Sequence, residues 1–253
     1  MFVPFRTLLR GALRDRISLA WAIVFPLVLL LALGFAFPTP GYRSHLLVGM
    51  IALSVMFFSL YGIAFESLAQ RNHGVYKLLR ATPYHTLAFV INLTLARGVV
   101  ALLSSVVVGA VGVLIFHIAI TPLGLLLLAP VLVLATLCFT FVGLTVGNLS
   151  QNETQVAGLN NLVTLPMIFA SEAFYSLAAA PAWVHTMSRA LPLSHVLDGV
   201  SAALAGSVSS SVIPFLFVLG YTVLALTSAV LTFRWDPDVA PLRRRSGTVH
   251  VSI

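Results

Sequence analysis

The sequence predicts an all-α integral membrane protein: six transmembrane helices, an N-terminal amphipathic interfacial helix, and short re-entrant helices between the fifth and sixth spans. Three observations predict it. Of 253 residues, 59% are hydrophobic and only 8% charged, with a mean hydropathy of +1.04; a soluble domain needs far more polar material to wet its surface. Six apolar stretches approach the ~20 residues that cross ~30 Å of hydrocarbon. Twelve of the fourteen Lys and Arg residues fall on one side of the membrane if all six stretches cross it.

The chain begins with "MFVPFRTLLRGALRDR", residues 1–16. Phe5, Leu8, Leu9, Ala12 and Leu13 recur at helical spacing with arginines mostly between them, the pattern of a helix lying in the inner interface. The spans follow at about 17–37, 46–65, 98–118, 123–147, 156–177 and 212–233. Each must be helical, because lipid offers the backbone no other hydrogen-bond partners. Pro26, Pro130, Pro166 and Pro214 then mark kinks rather than ends. The first apolar run is too long for a secretory leader and no small-residue cleavage motif follows it, so it reads as retained. Leu87–Ala96 is surplus to the third span and reads as an extension of that helix, with Arg97 snorkelling toward the interface. Gly143 and Gly147 form a GxxxG that permits close helix approach.

Basic residues set orientation. The bias puts both termini, the Glu66–Pro83 segment and the tail 234–253 in the cytoplasm. It also accounts for the +7 net charge without any nucleic-acid partner. Between the fifth and sixth spans, "AAPAWVHTMSRALPLSHVLDGVSAAL" is apolar and broken by Pro181, Pro192 and Gly199. It reads as short helices dipping back into the membrane, where irregular backbone must be shielded by protein or water; a lid over a path fits. Glu172, near the outer end of the fifth span, reads as a solvated mouth residue, a partner for Arg189 or another subunit, or a contact for a cation. Asn160 and Asn161 either bond a neighbouring helix or line a watery path.

Several chemistries are excluded. No GxxxxGK[ST] occurs and Lys77 is the only lysine, so the chain has no phosphate loop of that kind and cannot hydrolyse ATP by that route. No metal-ligand spacing or GxSxG elbow is present. No catalytic or metal site is expected in the single domain 1–253, and the chain carries no cofactor of its own.

Three segments together resemble the permease subunits of type-2 ABC exporters, the family of drug, antibiotic and polysaccharide exporters. They are "RDRISLAWAIVFPLVLLLALGFAF", "ESLAQRNHGVYKLLRATP" and "LPMIFASEAFYSLAAAPAWVHTMSRALPLSHVLDGVSA". The second matches at Glu66, Gly74, Leu79, Arg80, Thr82 and Pro83. The third matches at Leu165–Pro166, Ser171, Phe174, Pro181, Trp183, Pro192–Leu193 and Asp198. Departures fall at Gln70, Asn72 and His73, at Glu172, and at Ser201.

The resemblance implies a bacterial inner-membrane permease that pairs with a second permease chain, identical or different. Two cytoplasmic ATPase subunits, which hold ATP and Mg, would drive it. It implies a cytoplasmic coupling helix after span two, with Glu66, Arg71, Gly74, Tyr76, Leu78, Leu79, Arg80, Thr82 and Pro83 as its residues. Leu68, Val75, Leu78 and Leu79 form its apolar stripe, and Arg71, Lys77 and Arg80 can meet acids on a partner. Phe57, Phe58, Tyr61, Asn160, Thr164, Phe169 and Glu172 are the candidates for the substrate path. Phe174, Pro181, Trp183, Pro192 and Asp198 are those for an outer lid. Sparse charge suits efflux of a hydrophobic or amphipathic compound. Export of a lipid-linked polysaccharide and ion-coupled secondary transport are the alternatives.

Overall fold

In a computed structural model, residues 2–75, 86–175 and 180–233 are described, and within them nine helices and no strand occur. Helix α1 (Phe2–Arg14) is followed by α2 (Arg16–Ala36), α3 (Pro40–Asn72) and α4 (Thr86–Phe116). The chain continues through α5 (Pro122–Leu149), α6 (Glu153–Phe169), α7 (Ala182–Arg189), α8 (Pro192–Leu204) and α9 (Val208–Thr232). Five of these, α2, α3, α4, α5 and α9, are long and apolar enough to cross a membrane.

Helix starts follow local chemistry. Thr121 caps α5, its hydroxyl accepting from the Gly124 N–H at 3.0 Å, with Pro122 at the first helical position. Asn152 caps α6 through the Gln155 N–H at 2.9 Å, and the Gln155 side chain accepts in return from the Gln151 N–H at 2.8 Å. Ser207 caps α9.

Helix α3 is the axis of the molecule. Its most apolar stretch is 89% buried, against 22% for those of α2 and α9. It packs on α2, α4, α5, α6 and α8, and its Leu46–Val48, Met50–Leu53, Val55, Met56 and Leu60 form most of the main core. The outer helices leave apolar residues such as Leu114, Leu126 and Leu231 exposed, as expected of faces that meet lipid. The GxxxG expectation holds at α5. A Cβ on Gly147 would lie 2.7 Å from the Ala64 carbonyl oxygen, and one on Gly143 would collide with the backbone of Leu60. Those glycines let α5 lie directly against α3.

Two expectations change in detail, and one holds. The second span is part of a 33-residue helix, about 50 Å long at 1.5 Å per residue, which continues through Glu66 and Arg71. The extension before the third span is real and continuous with it, giving a 31-residue helix. The fifth expected span, 156–177, is a 17-residue helix ending at Phe169, after which 170–175 bend. Pro166 lacks the N–H that would bond to residue 162. The Tyr175 hydroxyl donates to the Phe169 carbonyl and closes the bend. The same segment brings the Ala173 carbonyl against Gly49 of α3, where any side chain would collide with it.

Helix α1 lies along α4. Leu8 packs near Ile63, Phe89 and Leu93, and Ala12 with Leu9 packs near Ala22, Phe58 and Val100. Its Arg6, Arg10 and Arg14 are exposed. Helix α8 is the larger surprise: Leu193, Val196, Val200 and Ala203 are fully buried, against α3, α5 and α9. The sequence reads this stretch as short helices, and the second of them is a wall of the core.

Candidate functional site

Two clusters occupy the two ends of α3, on the order of 31 Å apart from His45 to Glu66 at the helical rise. The first is at its C-terminal end, where α3 leads into the candidate coupling segment. Glu66 points sideways to α4, not outward. Its carboxylate accepts from Arg97 Nη2 at 2.7 Å, and from the Gln70 amide one turn on. Arg97 Nη1 donates to Asp15 Oδ2 at 2.9 Å, and its guanidinium lies 5.8 Å over the Phe58 ring. The arginine side chain is 5% exposed and the two acids 28% and 25%. The snorkelling expected of Arg97 is therefore corrected. A guanidinium this buried needs carboxylates beside it, and the α1–α2 junction and α3 supply them. Asp15 was missed because nothing in one sequence pairs residues 82 positions apart.

Arg71, one turn beyond, is also turned inward. Its guanidinium donates to the carbonyl of Asn148 at 3.0 Å and to that of Ser150, and the residue is 5% exposed. These carbonyls end α5, where no further helical N–H meets them. Asn148 in turn donates to the Ala229 carbonyl of α9 at 3.2 Å. So the arginine expected to meet a partner's acids instead ties α3 to the α5–α6 corner. Burial decides this, since an exposed guanidinium would have kept water. Helix α3 ends at Asn72, and just past its cap Gly74 has a φ of +69°, a left-handed conformation that glycine adopts without strain. Tyr76, Lys77, Leu78, Leu79, Arg80, Thr82 and Pro83 lie outside the described residues.

The path candidates divide. Phe57 and Tyr61 lie together on α3, ring centroids 5.8 Å apart, and the Tyr61 hydroxyl donates to Asn161 Oδ1 at 2.7 Å. Asn160 and Thr164 sit on the buried stripe of α6 with Val156 and Met167. Asn160 is fully buried, and neither atom of its amide has a hydrogen-bond partner among the described residues, which costs about 1–3 kcal/mol. Phe58 is on the opposite side of α3, under Arg97. Phe169 is exposed on the outside of α6.

The second cluster is a cavity of about 610 Å³ at the N-terminal end of α3. Its wall combines His45, His185 and His195 with Glu172, Asp198 and Arg189, several serines, and the apolar Leu47, Val48, Ile118 and Leu197. Of the lid candidates only Asp198 lines it. Pro192 starts α8 and is buried, Phe174 is half-buried, and Pro181 and Trp183 are exposed on or before α7. Burial pushes the Asp198 carboxyl above the ordinary carboxylate range; His195 pulls it down and the charge of Glu172 pushes it up. Sequence reading placed Glu172 and Asp198 in separate groups, on the path and on the lid. The structure puts them in one wall, because the bend after Phe169 returns the chain to α3.

The bundle of long apolar helices around a buried axis, with charge confined to its ends, defines a multi-pass membrane protein. The ABC-2 type transporter family model matches residues 5–205, and the chain belongs to that family. Among curated proteins it is similar to "Putative transport permease YvfS" of Bacillus subtilis (strain 168), 20% identical over 196 residues, 76% of this chain and 80% of the relative. Membership makes the chain a membrane permease subunit of an ABC transporter, a transport subunit and not an enzyme by itself. It implies association with an ABC ATPase.

Proposed function

We propose that the chain is the permease of an ABC exporter in the bacterial inner membrane. With a second permease chain it forms the pathway for efflux of a hydrophobic or amphipathic compound. The observation that carries this is the family match over residues 5–205 in a sequence without any phosphate loop, which supports a separate ATPase as the motor. Helix α6 supplies the sixth crossing, and the 12-to-2 basic bias places both termini with the ATPase. The Glu66–Pro83 segment seats its leucines in a groove of that subunit. The inward use of Glu66 and Arg71 leaves Lys77 and Arg80 as the cations offered to it. Substrate passes between the α3 and α6 faces that carry Phe57, Tyr61, Asn160 and Thr164, and leaves past α7 and α8.

Co-purification tests the docking. A Walker-type ATPase is expected to come down with the native chain. Leu79→Asp or Arg80→Glu is expected to release most of it, while gel filtration still shows a folded permease. Equal recovery with all three chains would contradict the assigned docking segment.

A further inference from the structure

We propose that the cavity at the N-terminal end of α3 is a binding site for an organic cation, a primary or secondary ammonium on an apolar body. Its place on an export path rests on the permease reading; the binding does not. A volume of about 610 Å³ suits a drug-sized ligand. The hydrogen-bonding sense of the wall is set by His195. Its Nε2 lies 2.9 Å from the Arg189 carbonyl, which can only accept, so Nε2 carries the proton and Nδ1 of the neutral ring is an acceptor. Stacking on Phe217 at 4.4 Å fixes the ring. The ionised carboxylates of Asp198 and Glu172 also only accept. Ser188 and Ser194 are engaged with each other at 2.9 Å. His45 Nε2 is buried with no partner among the described residues.

The acceptors that His195, Asp198 and Glu172 bring to this wall are complementary to a donor, and an ammonium is a donor without lone pairs. Two carboxylates against Arg189 leave one negative charge in excess when the histidines are neutral. Leu47, Val48, Ile118 and Leu197 receive the apolar body. Among the described residues, no three of the imidazoles and carboxylates converge as ligands of one metal ion do.

The probe is dansylcadaverine, a fluorescent primary amine, compared with its N-acetylated, uncharged analogue, on the purified full-length chain in lipid nanodiscs. The amine should bind about tenfold tighter or more, the scale of one lost charge pair. Asp198→Asn should abolish that preference and Arg189→Gln should increase it. Glu172→Gln, on the bend and outside the packed face of α8, should weaken amine binding and serves if the Asp198 variant does not fold. Amine affinity should fall as pH is lowered through the raised Asp198 range. His45, His185, His195, Glu172 and Arg189 face the same cavity as Asp198. Equal binding of both probes, or unchanged amine affinity in the carboxamide variants, would overturn the proposal. Amine binding without ATP-driven transport would keep the site and contradict its place on the export path. Transport with no discrimination between the probes would overturn the site alone.

Discussion

Arg97→Gln is expected to be the most destabilising single substitution at the C-terminal end of α3. It removes the cation from between Asp15 and Glu66, which are bound at 2.9 and 2.7 Å, and leaves two carboxylates facing each other at the edge of hydrocarbon. Removing one partner of a buried ion pair costs 3–5 kcal/mol. Both acids retain partial exposure, so the low end, about 3 kcal/mol, is expected. The loss should be local first, because α1 is held to the bundle mainly through α4 and this arginine. Amide hydrogen exchange should rise at the α1–α2 junction before elsewhere. Adding Glu66→Gln to Arg97→Gln should restore part of the stability, since one unpaired charge is gone. Arg97→Lys should be intermediate, an ammonium lacking the planar fork that reaches both acids. A native unfolding midpoint for Arg97→Gln would contradict the assignment.

Arg71→Met should cost nearly as much, for a different reason. Its guanidinium satisfies the last carbonyls of α5, and hydrogen bonds from a charged donor are worth about 1.5–3 kcal/mol each. The methionine keeps the side-chain volume and removes both bonds. On the permease reading, α3 could then move at the ATPase end without carrying the α5–α6 corner. ATP hydrolysis by the assembled complex should persist while transport drops about tenfold, the ratio given by a loss of 1.4 kcal/mol in coupling. Equal losses of hydrolysis and transport would point to assembly and not to coupling.

Much of the fold was legible because hydrophobic length is a local signal. The apolar runs at 17–37, 46–65, 98–118, 123–147 and 212–233 became α2, α3, α4, α5 and α9 with ends shifted by a few residues. The exceptions are α3, which extends six residues earlier and seven later, and α4, which starts twelve residues earlier through the expected extension. Gly143 and Gly147 could be read as a contact face because only small residues let backbones touch. What a single sequence does not carry is which distant polar groups meet. Asp15 and Arg97, or Arg71 and the carbonyl of Ser150, are paired only by the packing of α1, α4 and α5. The same limit split Glu172 from Asp198. Helix α8 was hard to place because 13 residues are too few for a span and too apolar for a loop; burial on three sides by α3, α5 and α9 is the answer that composition alone did not suggest.

The central claim is that this chain moves its cargo only when a separate ATPase drives it. Reconstitution into sealed vesicles with and without the co-purifying ATPase tests it directly, using accumulation of an amphipathic fluorescent cation as the readout. Uptake into inside-out vesicles is predicted to require both ATP and the ATPase, and to vanish when the Walker lysine of that subunit is replaced. Uptake that continues without the ATPase, driven by a proton or sodium gradient alone, would contradict the account.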